Sequence, residues 1–115
     1  MSLLRNQKMA QIAFECVQRR VGDAFEEYST FAKKFPALIH TCGLAQAVAF
    51  ALAKQQNHYL EDLTSVLRAA EHTTIPDGAS LDERARKSPM SIYLRLSRDA
   101  LQAAHWLKRY VEASA

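Results

Sequence analysis

The sequence is poor in the residues that make loops, bridges and membrane spans, and each shortage excludes something. Glycine occurs only three times, at Gly22, Gly43 and Gly78. None of the three sits in a Gly-rich loop that could cradle a nucleotide phosphate, which argues against a nucleotide-using enzyme. The two cysteines, Cys16 and Cys42, have neither CxxC nor metal-ligand spacing, and one possible disulfide does not make a secreted scaffold. Both are expected as buried small hydrophobes in a reducing cytoplasm. The apolar run from Leu44 to Ala53, interrupted only by Gln46, is half of the roughly 20 residues that cross a bilayer. Arg5 and Lys8 precede an interrupted apolar pattern rather than a signal-peptide core. A soluble cytoplasmic protein with no membrane partner is expected.

Constellations for catalysis are equally sparse. The four histidines, His40, His58, His72 and His105, show no H-E-x-x-H arrangement and no i, i+3 or i, i+4 pairing with Cys or carboxylate across a shared buried face, so no metal is expected. His40 lies among apolar neighbours, where a lone histidine reads as a hydrogen-bonded structural residue rather than a base. No serine stands in a nucleophile elbow, and the acidic pairs Glu26-Glu27, Glu61-Asp62 and Asp82-Glu83 diverge around a helix, which assigns them to solvation. No catalytic residue, cofactor or small-molecule substrate is expected.

What the chain does have is helical periodicity. Its 115 residues fit one domain, 1–115, of a size that buries about 65% of its unfolded surface. From Leu3 to Val21, one side carries Met9, Ala13, Cys16, Val17 and Arg20, and Gly22 is a natural stop. Asp23 with Glu26 resembles a capping box opening a second helix with the aromatic face Phe25, Tyr28, Phe31, Ala32 and Phe35. Pro36 predicts a break or sharp bend at Phe35-Pro36, and Gly43 a second one. Residues 44–53 are apolar on every side, which predicts a buried central rod sheathed by the other helices. Asn57 is placed to cap the following helix, whose apolar residues Tyr59, Leu60, Leu63, Val66, Leu67 and Ala70 predict packing on one face only. Residues 73–89 look least ordered, with turn chemistry at Ile75-Pro76-Asp77-Gly78 and a charge-rich stretch from Leu81 to Lys87. Ser80-Leu81-Asp82-Glu83 is a capping-box sequence that predicts one short surface helix there. Ser88-Pro89 starts the last helix, with Tyr93, Leu96, Ala100, Ala104, Leu107 and Val111 as its seam. The fold class is therefore all-α: a bundle of five or six helices around a central apolar one.

The net charge of +3 permits a polyanionic partner without requiring one. At 100° per residue, Arg95, Arg98, Gln102, His105 and Arg109 fall within an arc of about 80° on the last helix, a ladder of donors that can track phosphates. Trp106 stands at its edge, able to stack on a base or pack on a protein. Lys33-Lys34 and Lys54 bracket the apolar stretch.

Three motifs in order, Lys33-Lys34-Phe35-Pro36-Ala37-Leu38-Ile39, then Gly43-Leu44 with Ala47-Val48-Ala49-Phe50, and finally Trp106-Leu107-Lys108-Arg109-Tyr110, resemble the small-subunit family of the type III-B CRISPR effector, the Cmr complex. The resemblance spans about 28–55 and 93–113, and departs slightly at Cys42, where a small polar residue is usual before the glycine. It implies a compact α-helical protein without catalytic activity, stacked in several copies along guide RNA and target RNA, while cleavage belongs to the repeated backbone subunit. Its implied partners are the other subunits of the effector, copies of itself, and both RNAs. A role facing RNA carries over most directly onto Lys33, Lys34, Lys108 and Arg109. Lys54, Arg95 and Arg98 join them by position, and Trp106 and Tyr110 are candidates for subunit contacts or for the core. Two other classes remain open: a helical adaptor that binds only protein, and a small enzyme in which His40 or His105 has an acid or base partner.

Overall fold

The computed structural model describes residues 2–114, so residues 1 and 115 of the expected domain, and the Leu3 side chain, lie outside the described residues. Six α-helices follow one another: α1 Ser2–Arg20, α2 Phe25–Cys42, α3 Leu44–Ala53, α4 Asn57–Ala69, α5 Gly78–Lys87 and α6 Met90–Ser114. The seams expected of α1 and α6 are the ones buried, with Met9, Ala13, Cys16 and Val17 facing Leu96, Ala100, Ala104, Leu107 and Val111 across one continuous core.

The centre of the bundle is not where the apolar run pointed. α3 buries Leu44, Ala47, Val48 and Ala51 but leaves Gln46, Ala49 and Ala53 exposed. Alanine carries so little side chain that exposing it costs little, so an all-apolar run need not be sheathed all round. α4 packs against each of the other five helices instead. Its buried face is wide, about 200° at 100° per residue, and includes the polar Asp62 and Thr64, while Asn57, His58 and Glu61 stay exposed. Tyr59 of α4 is the hub of an aromatic cluster, with ring centroids 5.0 Å from Phe35, 5.3 Å from Phe31 and 6.0 Å from Tyr28. The aromatic face of α2 thereby finds its partner.

α2 runs unbroken through Pro36, contrary to the expected break. A proline inside a helix costs about 3 kcal/mol, and here Phe35, Pro36 and Ile39 are all buried. Burying an apolar side chain returns roughly 1.5–3 kcal/mol, so packing outweighs the lost hydrogen bond. The chain turns at Gly43 instead, with φ 86°. Gly43 offers no side chain to cap α3, and the Tyr93 hydroxyl of α6 fills that role by accepting from the Ala45 backbone N–H at 3.2 Å.

Other helix ends also differ from expectation. α2 is preceded by Ala24 in the left-handed region and has no Asp23 capping box, while Gln56 rather than Asn57 is the residue before α4. α3 and α4 both close with a Schellman-type turn, in which Gln56 N donates to Ala51 O and His72 N to Leu67 O. Gln55 and Glu71, with φ 57° and 76°, occupy the left-handed positions where glycine is usual. That is why no glycine marked those ends.

Residues 73–89 are built into the fold. Ile75 and Leu81 are buried, and Arg68 of α4 donates to the carbonyls of Ile75 and Pro76. The helix begins at Gly78, earlier than Ser80 suggested, because the Asp77 carboxylate accepts from Ser80 N at 2.8 Å. A Cβ on Gly78 would stand 3.0 Å from Leu60, so glycine permits α5 to close onto α4.

Candidate nucleic-acid interface

Two buried carboxylates that sequence reasoning assigned to solvent, or did not single out, fix the ends of α1. Asp62 is wholly buried, and Arg20, the last residue of α1, grips it with Nε to Oδ2 and Nη2 to Oδ1, both at 2.9 Å. The Tyr28 hydroxyl donates to the same carboxylate at 2.6 Å. Asp99 on α6 is also buried and receives Arg5 from the first turns of α1 at 2.6 Å and His72 Nε2 at 2.7 Å. The legible signal was an arginine on the α1 seam beside Cys16 and Val17, and an aspartate on the α6 seam between Leu96 and Ala103. These groups perturb their surroundings. Burial, with the charge of Asp62 second, pushes the Cys16 thiol up to about 12, and the same two causes raise both Tyr28 and Tyr59. Arg20 is raised chiefly by its hydrogen bonds to Asp62. Cys42, expected in the core, is exposed at the end of α2.

The cations therefore sort into two sets. Arg5 and Arg20 are spent on buried carboxylates, and Arg86 and Lys87 on neighbours one turn away along α5. Among the described residues, Lys33, Lys34, Lys54, Arg95, Lys108 and Arg109 have no carboxylate at ion-pair distance, and Arg98 has only a 3.8 Å approach to Asp99.

These free cations form two groups. Lys34 Nζ lies 5.6 Å from the Phe31 ring and 5.7 Å from that of Phe50, and Lys54 Nζ lies 5.6 Å from Phe50. The Phe31 and Phe50 rings are themselves stacked at 6.3 Å. Lysines 20 positions apart are thus drawn together by ring quadrupoles, each such contact contributing about 0.5–1 kcal/mol at an exposed site. Lys33 is exposed beside them in sequence but does not share the rings.

The second group is the α6 ladder. Arg98, Gln102, His105 and Arg109 line a groove of about 460 Å³ with Leu101 and Trp106. Among the described residues no carboxylate contributes to its lining. Arg95 is exposed but outside it, and Lys108, one residue and about 100° from Arg109, is half-buried on another side of the helix. The Trp106 ring stacks on Tyr110 at 5.9 Å and 15°, and Tyr110 meets Phe14 edge-on at 5.5 Å. Both aromatics are partly buried against the core. Neither His40 nor His105, both exposed, has an acid or base partner among the described residues, so the condition set for a histidine-dependent enzyme is not met. Among the described residues no helix is long and apolar enough to cross a membrane.

A family model described as CRISPR-associated protein (Cas_Cmr5) matches residues 5–114 of the chain. The chain belongs to the Cmr5 family. A curated relative, the CRISPR system Cmr subunit Cmr5 of Thermus thermophilus, is 38% identical over 113 residues, covering 95% of this chain and 94% of its own. The crystal structure of a CRISPR-associated Cmr5 family protein from the same organism superposes with a TM-score of 0.85 at 37% identity, covering 95% of this chain and 96% of that one. The Cmr5-type fold thus extends over the whole described helical array, including residues 73–89, where the sequence motifs were silent.

Proposed function

We propose that this chain is a non-catalytic small subunit of a Cmr-type CRISPR effector that silences RNA, assembling with the other subunits and with copies of itself beside the guide–target duplex. The observation that carries the reading is the match to a family whose curated relative is named a Cmr subunit, over nearly the whole of both chains. The sorting of the cations supports it. Lys33, Lys34, Lys54, Arg95, Arg98, Lys108 and Arg109 are not consumed by strong internal ion pairs, and base pairing in such assemblies supplies the sequence specificity, so backbone contacts suffice. Trp106 is assigned to the edge of this surface and Tyr110 to subunit contacts.

Replacing Lys33, Lys34 and Lys54 together by Glu tests it. Helicity stays intact, target RNA is released from the assembled complex at lower salt, and the salt slope falls by about 0.7–0.9 for each phosphate that is no longer neutralised. Unchanged retention across the salt series overturns the reading. A second reading, an adaptor that binds only protein, is favoured by one feature: Met90, Ile92 and Leu94 at the start of α6 are exposed by 70%, 53% and 58%. Cross-linking of the assembled complex separates the two, because an adaptor leaves this chain without attached RNA.

A further inference from the structure

We infer that the groove on α6 is a stacking site for one unpaired nucleotide, its base on Trp106 and its flanking phosphates on Arg98 and Arg109. The inference rests on the reading above but differs from it in kind, since a backbone-reading surface needs no base contact. Four features of the groove carry it. Its volume of about 460 Å³ lies within the roughly 300–1,000 Å³ typical of small-ligand pockets. Trp106, which borders the groove, stacks offset on Tyr110, which lies outside the lining, so the indole is braced by its neighbour. Arg98 and Arg109 are 11 residues apart, about 16 Å along the helix, and so stand at opposite ends with the indole between them. Gln102 donates its amide N–H to Asn6, which holds the side chain in place and leaves its carbonyl oxygen to accept, and His105 adds a ring nitrogen on the same strip.

A base inside a duplex is covered on both faces by its neighbours and cannot reach an indole, so the occupant is single-stranded. An acidic peptide shares the charge complementarity but has no use for the braced ring, and the test separates the two.

Trp106 is the only tryptophan in the chain, so its emission reports on the groove alone. The full-length protein is titrated at low salt with a single-stranded hexaribonucleotide, an abasic hexamer with the same phosphodiester backbone, the corresponding duplex, and a hexaglutamate peptide. Quenching by the single strand, with little change from the other three, supports the site. In anisotropy with a labelled single strand, Trp106→Leu weakens binding by at least about fivefold, the lower end for one base–aromatic stack. Trp106→Phe, which keeps the packing against the core, weakens it less, and Arg98→Gln with Arg109→Gln weakens it while lowering the salt slope. Absence of quenching, or equal quenching by the abasic strand, overturns the inference, and quenching by hexaglutamate alone reassigns the groove to an acidic segment. If the lysine-reversed complex releases RNA while Trp106 emission is indifferent to single strands, only the base site fails. If Trp106 is quenched while RNA retention is unchanged by those reversals, only the assembly reading fails.

Discussion

Removing the guanidinium of Arg20 isolates the energetics of the clasp at the end of α1. Asp62 is wholly buried, whereas the Arg20 side chain keeps 17% of its surface in water, so Arg20→Met strips the inner partner from the outside. The aspartate keeps only the Tyr28 hydroxyl. Removing one member of a buried pair typically costs about 3–5 kcal/mol, because a charge is left without compensation. The lower end of that range applies because Arg20 is partly exposed, so a loss of about 3 kcal/mol is expected, which for a chain of 115 residues lowers Tm by about 12 °C. Thermal unfolding at pH 7, followed by far-ultraviolet circular dichroism, measures it. Glu61→Gln is the control: Glu61 also meets Arg20, at 2.7 Å, but its side chain is 68% exposed, and a loss below about 1 kcal/mol is expected. A drop of less than about 3 °C for Arg20→Met refutes the account.

Two further outcomes follow from the interior. A thiol reagent should titrate one cysteine in the native protein and two after denaturation, since Cys42 is exposed while Cys16 is buried with its thiol pushed up to about 12; two fast thiols would contradict the packing of α1. The Tyr59 hydroxyl is buried without a partner among the described residues, so Tyr59→Phe should raise Tm by a few degrees at neutral pH, removing an unsatisfied group of about 1–3 kcal/mol at most. Tyr28 and Tyr59 both hold their protons more tightly when folded, so above about pH 10 the unfolded chain loses protons that the native one keeps, and stability falls as pH rises. Tyr59→Phe should flatten that alkaline decline, and an unchanged slope counts against it.

The structure also explains why the α6 face was legible as a ladder but not as a groove. Spacing at 100° per residue is a property of one helix, and it correctly aligned Arg98, Gln102, His105 and Arg109. Among the described residues the groove is lined by α6 alone, and what other elements decide is how its side chains are held: Gln102 bonds to Asn6, and Tyr110, on which Trp106 stacks, meets Phe14 of α1. The convergence of Lys34 and Lys54 on Phe50 was illegible for the same reason, since it needs the turn at Gly43 to fold α3 back beside α2.

The sequence by itself determined an all-α bundle of five or six helices, the seams of α1 and α6, the aromatic face of α2 and the family, because helical periodicity and short motifs are written within a few turns of one segment. Tertiary structure alone decided that α4 rather than α3 holds the centre, that α2 passes through Pro36, that residues 73–89 dock, and that Asp62 and Asp99 are interior clasps. Each of these is a balance struck between residues far apart in the chain, such as Arg20 with Asp62 or Arg5 with Asp99. Local propensities of a few tenths of a kcal/mol to about 3 kcal/mol yield there to the burial of several side chains at once.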